Sequence, residues 1–101
     1  MNDVSGQIKM SPAELAHKAK QYGESSYQIQ EILGRLKALQ GELSEQWQGQ
    51  AFASFDQQFG DLEPKVQSFA QLMMDIQDQL TKTAEAMQEQ DQALSQNFGF
   101  R

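Results

Sequence analysis

Apolar side chains recur every seven residues along two stretches of this chain, and this repeat restricts the fold more than any other feature. In the first stretch one row comprises Leu15, Tyr22, Ile29, Leu36 and Leu43. A companion row comprises Ala19, Ser26, Leu33, Gln40 and Trp47, widened by Ile32 and Leu39. In the second stretch the rows comprise Phe52, Phe59, Val66, Met73, Leu80, Met87 and Leu94, and Phe55, Leu62, Phe69 and Ile76. This 3.5-residue period is typical of amphipathic helices that pack side by side with a left-handed supercoil. The sequence therefore predicts an all-α fold.

Local signals predict where these two helices begin and end. Ser11-Pro12-Ala13-Glu14 combines a serine N-cap, proline at the first helical position and glutamate at the third, which is a capping box. Trp47-Gln48-Gly49 interrupts the repeat near the middle of the chain, and Gly49 supplies the unusual backbone that a reversal needs. We expect one helical-hairpin domain over residues 1–101, with helix one at about 12–46, a turn at 47–50, helix two at about 51–94 and flexible termini.

Some residues inside the predicted helices oppose helix formation. Gly23, Gly34 and Gly41 fall within helix one but off its apolar rows, and each costs roughly 1 kcal/mol relative to alanine. Pro64 falls within helix two, where proline normally kinks or breaks a helix at a cost of about 3 kcal/mol. Because the seven-residue step continues across Pro64, we expect a kinked, continuous helix. A break at Gly60-Asp61 is the alternative.

A hairpin of this kind leaves part of its apolar surface uncovered. A connection of about four residues makes the helices antiparallel neighbours, in a rod of roughly 50–65 Å. Two helices share only one interface, so the outer edges of the apolar rows stay exposed to solvent. Pairing of two hairpins into a four-helix bundle would cover them. We expect a homodimer, with a heterodimer as the alternative.

Composition excludes several functional classes. The 101 residues include no cysteine, so neither disulfides nor thiolate metal sites form. The net charge of -6 disfavours nucleic acid as a partner. No apolar run approaches the ~20 residues that span a bilayer, and the N-terminus lacks the pattern of a Sec signal peptide. His17 stands alone on the expected solvent face. We therefore expect no catalytic residues, no metal, no cofactor and no stable membrane insertion.

The whole pattern resembles a known bacterial family. A Trp-x-Gly turn between two heptad arrays, in a chain of about a hundred residues, is similar to the WXG family of Esx-type (early secretory antigenic target-like) proteins of Gram-positive bacteria and mycobacteria. Gly49-Gln50-Ala51-Phe52 also fits that family. The resemblance implies helical hairpins that dimerise and leave the cell through type VII (ESX) secretion, driven by its ATPase, without a cleaved signal peptide.

The resemblance also implies an export signal near the C-terminus. The family form is Tyr-x-x-x-Asp/Glu, and this chain differs because Met87 stands in the tyrosine position. A broader family pattern of apolar and acidic residues is matched by Met87, Asp91, Leu94 and Phe98. Residues separated by 4, 7 and 11 positions lie on one face of a helix, and a receptor groove could bind that face. From spacing alone, the same residues are better explained as the end of the core and a tail, and it is the family resemblance that favours an export signal.

The leading interpretation is therefore a non-enzymatic secreted protein, a type VII substrate with co-secretion partner or virulence factor as further roles. The alternative is a cytoplasmic coiled-coil adaptor or chaperone that binds partner helices along the same rows. Direct activity on membranes is disfavoured by the acidic surface. Trp47 either caps the core or docks a partner at the tip, and both interpretations stay open.

Overall fold

The protein is a long two-helix hairpin. The computed structural model describes residues 9–47 and 49–97, with side chains described as far as Asp91. Helix α1 spans Pro12–Gln46, helix α2 spans Gln50–Asn97, and the two pack against each other along their length. The predicted all-α helix-turn-helix fold is confirmed. The rod measures 75 × 29 × 14 Å, so it is a single layer of helices.

Helix α1 begins at the predicted capping box. The Ser11 backbone N–H donates to Glu14 Oε1 at 2.8 Å, and the Glu14 backbone N–H donates to Ser11 Oγ at 3.1 Å. The hydrogen bond from the Ser11 backbone N–H lowers the pKa of the Glu14 carboxyl, and hydrogen bonding between that carboxyl and the Ser11 hydroxyl lowers it further. The two bonds donated by the Ser11 and Glu14 backbones satisfy N–H groups that have no partner inside the helix.

Helix α2 continues through Pro64. The alternative of a break at Gly60-Asp61 is therefore wrong, since both residues are helical. Pro64 has no N–H to donate to the carbonyl of Gly60, four residues earlier. Gly60 is exposed, so water can reach that carbonyl. Whether the helix bends at this point stays a prediction.

The two helices approach each other most closely at small residues. Ser26 is completely buried, and its hydroxyl donates to the backbone carbonyl of Ala70 at 2.7 Å. Ala19 and Ala84 are also buried in this interface. On α2, five residues that face α1 form a seven-residue row: Asp56, Glu63, Ala70, Gln77 and Ala84. We call this the contact row, and the apolar periodicity did not predict it.

Polar bridges join the contact row to α1 nearer the turn. Lys37 Nζ lies 2.9 Å from Glu63 Oε2, and Gln40 Nε2 donates to Asp56 Oδ1 at 3.0 Å. Because these groups are partly or fully exposed, each bridge contributes at most about 1 kcal/mol. They set the register of the turn-proximal half more than they stabilise it.

Helix α2 extends past the start of α1. Pro12, at the beginning of α1, lines one groove with Ala84 and Gln88, and α2 continues from there to Asn97. Residues 89–97 therefore form an overhang of about 14 Å. Helix α2 has 48 residues and is about 72 Å long, which explains why the rod exceeds the 50–65 Å expected from the sequence.

The glycines of α1 give the first testable prediction. A Cβ at Gly34 or Gly41 would meet nothing within 4 Å, so alanine fits both positions. Each Gly→Ala change should raise the free energy of unfolding by roughly 0.5–1 kcal/mol, because alanine loses less backbone entropy in a helix. Urea unfolding followed by circular dichroism measures the change. Gly23→Ala is the matched control: its Cβ would meet the Gln77 side chain, so it should give a smaller gain or a loss.

Candidate functional site

The hairpin has two different long sides, one on each side of the plane through the helix axes. On α1, Leu36 and Leu43 lie to one side of the buried residues, and Gly34 and Gly41 lie to the other. The glycine side carries shallow grooves between the helices, one of which is lined by both Gly41 and Gly60. We call it the groove side.

The opposite side is an exposed apolar surface. Twelve large apolar side chains of the described residues are substantially exposed, and ten of them share this side. We call it the apolar face: Tyr22, Ile32, Leu36, Leu39, Leu43, Trp47, Phe55, Leu62, Phe69 and Leu72. Phe69 is 54% exposed and Leu39 is 52% exposed, although both continue the apolar pattern of their helices. A contiguous surface of this kind marks an interaction site rather than ordinary surface variation.

The predicted apolar rows are divided between the inside of the hairpin and this face. Leu15 and Leu33 are buried between the helices. An intermediate group lines the edge of the interface: Ile29, Phe52, Phe59, Val66, Met73, Ile76 and Leu80. The remaining predicted residues are exposed on the apolar face: Tyr22, Leu36, Leu43, Phe55, Leu62 and Phe69. The rows therefore contribute more to the uncovered face than to the core of the single chain.

Trp47 ends α1 and leads into the turn. Its backbone N–H donates to the Leu43 carbonyl at 2.8 Å, and its extended backbone stops the helix. The indole packs on Phe52 and Phe55, with ring centroids 5.6 Å and 5.8 Å away, yet Trp47 stays 39% exposed. It therefore closes the tip of the hairpin and also contributes to the apolar face.

Gly49 supplies the reversal, as predicted. Its φ is +117°, a backbone conformation that side chains disfavour. Its carbonyl accepts from the Ala53 N–H at 3.2 Å and so begins α2. Gln48, the middle residue of the motif, lies outside the described residues.

The candidate export residues are divided by the end of the described part of the chain. Met87 is half-buried and Asp91 is exposed. Leu94 belongs to α2, but its side chain is outside the described part, and Phe98 is outside the described residues altogether. α1 begins beside Ala84 and Gln88, so it does not extend alongside the residues of α2 that follow them. Their role as an export signal stays a prediction.

The described residues show little that would support chemistry. Across residues 9–47 and 49–97, no group of three His, Asp or Glu side chains is arranged to hold a metal ion. No described helix combines the length and apolar character needed to cross a membrane. His17 is exposed, as expected. Between the helices, the described residues line grooves that are open to solvent.

Sequence reasoning missed the residues that hold the hairpin together. Ala70 and Ala84 are buried, but they belong to a row of small, amide and acidic residues that no search for large apolar repeats selects. Ser26 belonged to a predicted row, but no function was predicted for it. Its buried hydroxyl donates the hydrogen bond that joins the two helices at Ala70. Small residues at the same helical spacing were the one available signal.

This geometry defines a class of proteins: single-layer helical hairpins reversed by a Trp-x-Gly turn. The family model described as "Proteins of 100 residues with WXG" matches residues 7–92. The chain belongs to this WXG100 family.

Curated relatives and solved structures agree with that assignment. The chain is 53% identical over 94 residues to type VII secretion system extracellular protein A of Staphylococcus aureus strain USA300, covering 93% of this chain and 97% of the relative. The same values hold for strain Newman. EsxA of Geobacillus thermodenitrificans superposes with a TM-score of 0.81 at 29% identity, covering 88% of this chain and 97% of that one. The secreted protein EsxB of Bacillus anthracis shares the fold, with a TM-score of 0.76 at 24% identity and coverage of 85% and 98%.

Proposed function

We propose that this protein is a non-enzymatic, secreted substrate of a type VII secretion system that acts as a homodimer. This proposal depends most on the 53% identity, over 93% of the chain, to a relative called type VII secretion system extracellular protein A. The apolar face supports dimerisation, and the overhang supports recognition by the export machinery. Secretion without a cleaved signal peptide, and a role as co-secretion partner or virulence factor, belong to the same proposal.

The surface area of the single chain supports a dimer. The hairpin exposes 7855 Å². A compact protein of its mass, 11.4 kDa, would expose only about 5,800 Å². The difference of roughly 2,000 Å² exceeds the ~800 Å² per partner that a stable protein interface buries. A second copy laid on the apolar face would remove much of this excess.

A second copy is also the partner that the composition of the apolar face favours. The face is aromatic and aliphatic across both helices, so two copies can bury like against like around a twofold axis. No complementary charge is needed at its centre. Burial at about 25 cal/mol per Å² supplies the driving force, reduced by the cost of association.

Charges introduced into the apolar face should break the dimer. Leu36→Glu combined with Phe69→Glu should weaken self-association at least a hundredfold, or about 3 kcal/mol, because unpaired carboxylates would be buried at the interface. Sedimentation velocity across a concentration series measures the shift.

The matched control carries the same two charges on the groove side. Tyr27→Glu with Met74→Glu changes side chains of similar exposure, 65% and 44% against 41% and 54%, and should leave the dimer intact. Homodimerisation is contradicted if the first variant keeps the mass of the wild type, or if wild type associates only after a second WXG100 protein is added.

The overhang is suited to recognition by another protein. It places Asp91 on a helix end that α1 does not accompany, and Met87 lies just before this end. Met87 and Asp91 are four residues apart and therefore share one side of the helix. Leu94 continues the same spacing in the sequence. A receptor groove, here proposed to belong to the secretion ATPase, would take the apolar residues as anchors and the acid to fix the register.

Removal of the Asp91 carboxylate should block export without unfolding the protein. We expect Asp91→Ala to lower the secreted fraction at least tenfold, measured as culture supernatant against cell pellet. Deletion of residues 87–101 should have the same effect. Helicity and dimer mass of the purified Asp91→Ala protein should match the wild type, because Asp91 is exposed and remote from the apolar face.

Glu89→Ala provides the control for this experiment. Glu89 is exposed on the same overhang, but two residues away and therefore on a different face of the helix. Its secretion should stay within about twofold of wild type. Normal export of Asp91→Ala would refute the signal. Retention of wild type in the cells, with or without the secretion ATPase, would instead favour the cytoplasmic adaptor.

A further inference from the structure

Two exposed apolar side chains on the groove side are not explained by the hairpin or by the proposed dimer. Tyr27 of α1 is 65% exposed, the most of any large apolar residue described, and Met74 of α2 is 44% exposed. Both line one open groove between the helices, about 810 Å³ in volume. We call it the Tyr27 groove. Because it lies opposite the apolar face, a dimer formed through that face leaves it open on both protomers.

The floor of the Tyr27 groove is shaped by a glycine and glutamines. Gly23 has no Cβ, and one placed there would meet the side-chain amide of Gln77, which lies across the groove. The Gln30 amide, which also lines this groove, donates to Ser26 Oγ at 3.2 Å. The floor therefore offers amide groups suited to the main chain of a bound peptide.

The rim of the Tyr27 groove is acidic. Glu24 and Glu31 are exposed along the α1 edge, and Lys20 is the one cation among the lining residues. The ion pairs found within the described residues, Lys37–Glu63 and Lys82–Asp78, do not involve the rim acids. With a chain charge of -6, this rim attracts cations and repels phosphate-bearing surfaces such as nucleic acid and anionic lipid.

We propose that the Tyr27 groove docks a basic segment of another protein, one that carries a single large apolar side chain between lysines or arginines. The apolar side chain lies between Tyr27 and Met74, where an aromatic ring and a thioether pack favourably. The flanking cations meet Glu24 and Glu31. Tyrosine is enriched in interface centres because it combines apolar area with one polar group. Dimerisation and docking use opposite sides, so either can fail alone.

A defined peptide tests this docking surface on the wild-type dimer. The probe is a synthetic nonapeptide with one central phenylalanine flanked by lysines, titrated into isotope-labelled protein and followed by amide NMR shifts. We expect saturable shifts that centre on Gly23, Tyr27 and Gln77. Peptides with alanine for phenylalanine, or with glutamates for lysines, should bind at least tenfold more weakly.

Variants of the protein complete the test. Tyr27→Ala with Met74→Ala should weaken binding at least tenfold while sedimentation shows an unchanged dimer. Glu24→Lys with Glu31→Lys should reverse the preference, so that the glutamate peptide binds better than the lysine peptide. The proposal is overturned by an absence of saturable shifts, by equal binding of the alanine peptide, or by shifts that map to the apolar face.

Discussion

The hydrogen bond from the buried Ser26 hydroxyl to the Ala70 carbonyl is the contact on which the rest of the rod depends. It lies where small residues let the two backbones approach, and a buried hydroxyl without this partner would cost about 1–3 kcal/mol. A slip of either helix would lose the bond. The register it fixes brings Lys37 to Glu63 and Gln40 to Asp56, and sets Tyr27 across the groove from Met74.

The use of small residues for the inner contact has a consequence for the large ones. Alanine, serine and glutamine contribute much of the contact between the helices, and ten large apolar side chains are left exposed on one outer side. A layer 14 Å thick has no second layer to cover them. The same register places the start of α1 beside Ala84 and Gln88 and leaves residues 89–97 as a helical overhang. The apolar face and the overhang therefore both result from the register in which α1 packs on α2.

Much of this fold was predictable from the sequence. The capping box at Ser11 and the reversal at Gly49 each depend on local chemistry that nearby residues specify, and the continuity of α2 past Pro64 was indicated by the seven-residue repeat on both sides of it. The contact row was not predictable, because periodicity detects large apolar residues and this row is made of Ala70, Ala84 and polar neighbours. The Tyr27 groove needs the register between helices, which no local signal contains. Helix two was predicted to end at about residue 94, and α2 ends at Asn97, because the polar residues after Leu94 continue the helix without an apolar pattern to show it.

We propose above that the apolar face belongs to an interface between two copies of this chain. Small-angle X-ray scattering of the wild-type protein at micromolar concentration distinguishes such a dimer from a single hairpin. A dimer gives a particle of twice the 11.4 kDa chain mass, as long as one hairpin or longer and thicker than its 14 Å layer. A well-folded particle with the mass of one chain and a radius of gyration near 22.1 Å would contradict it.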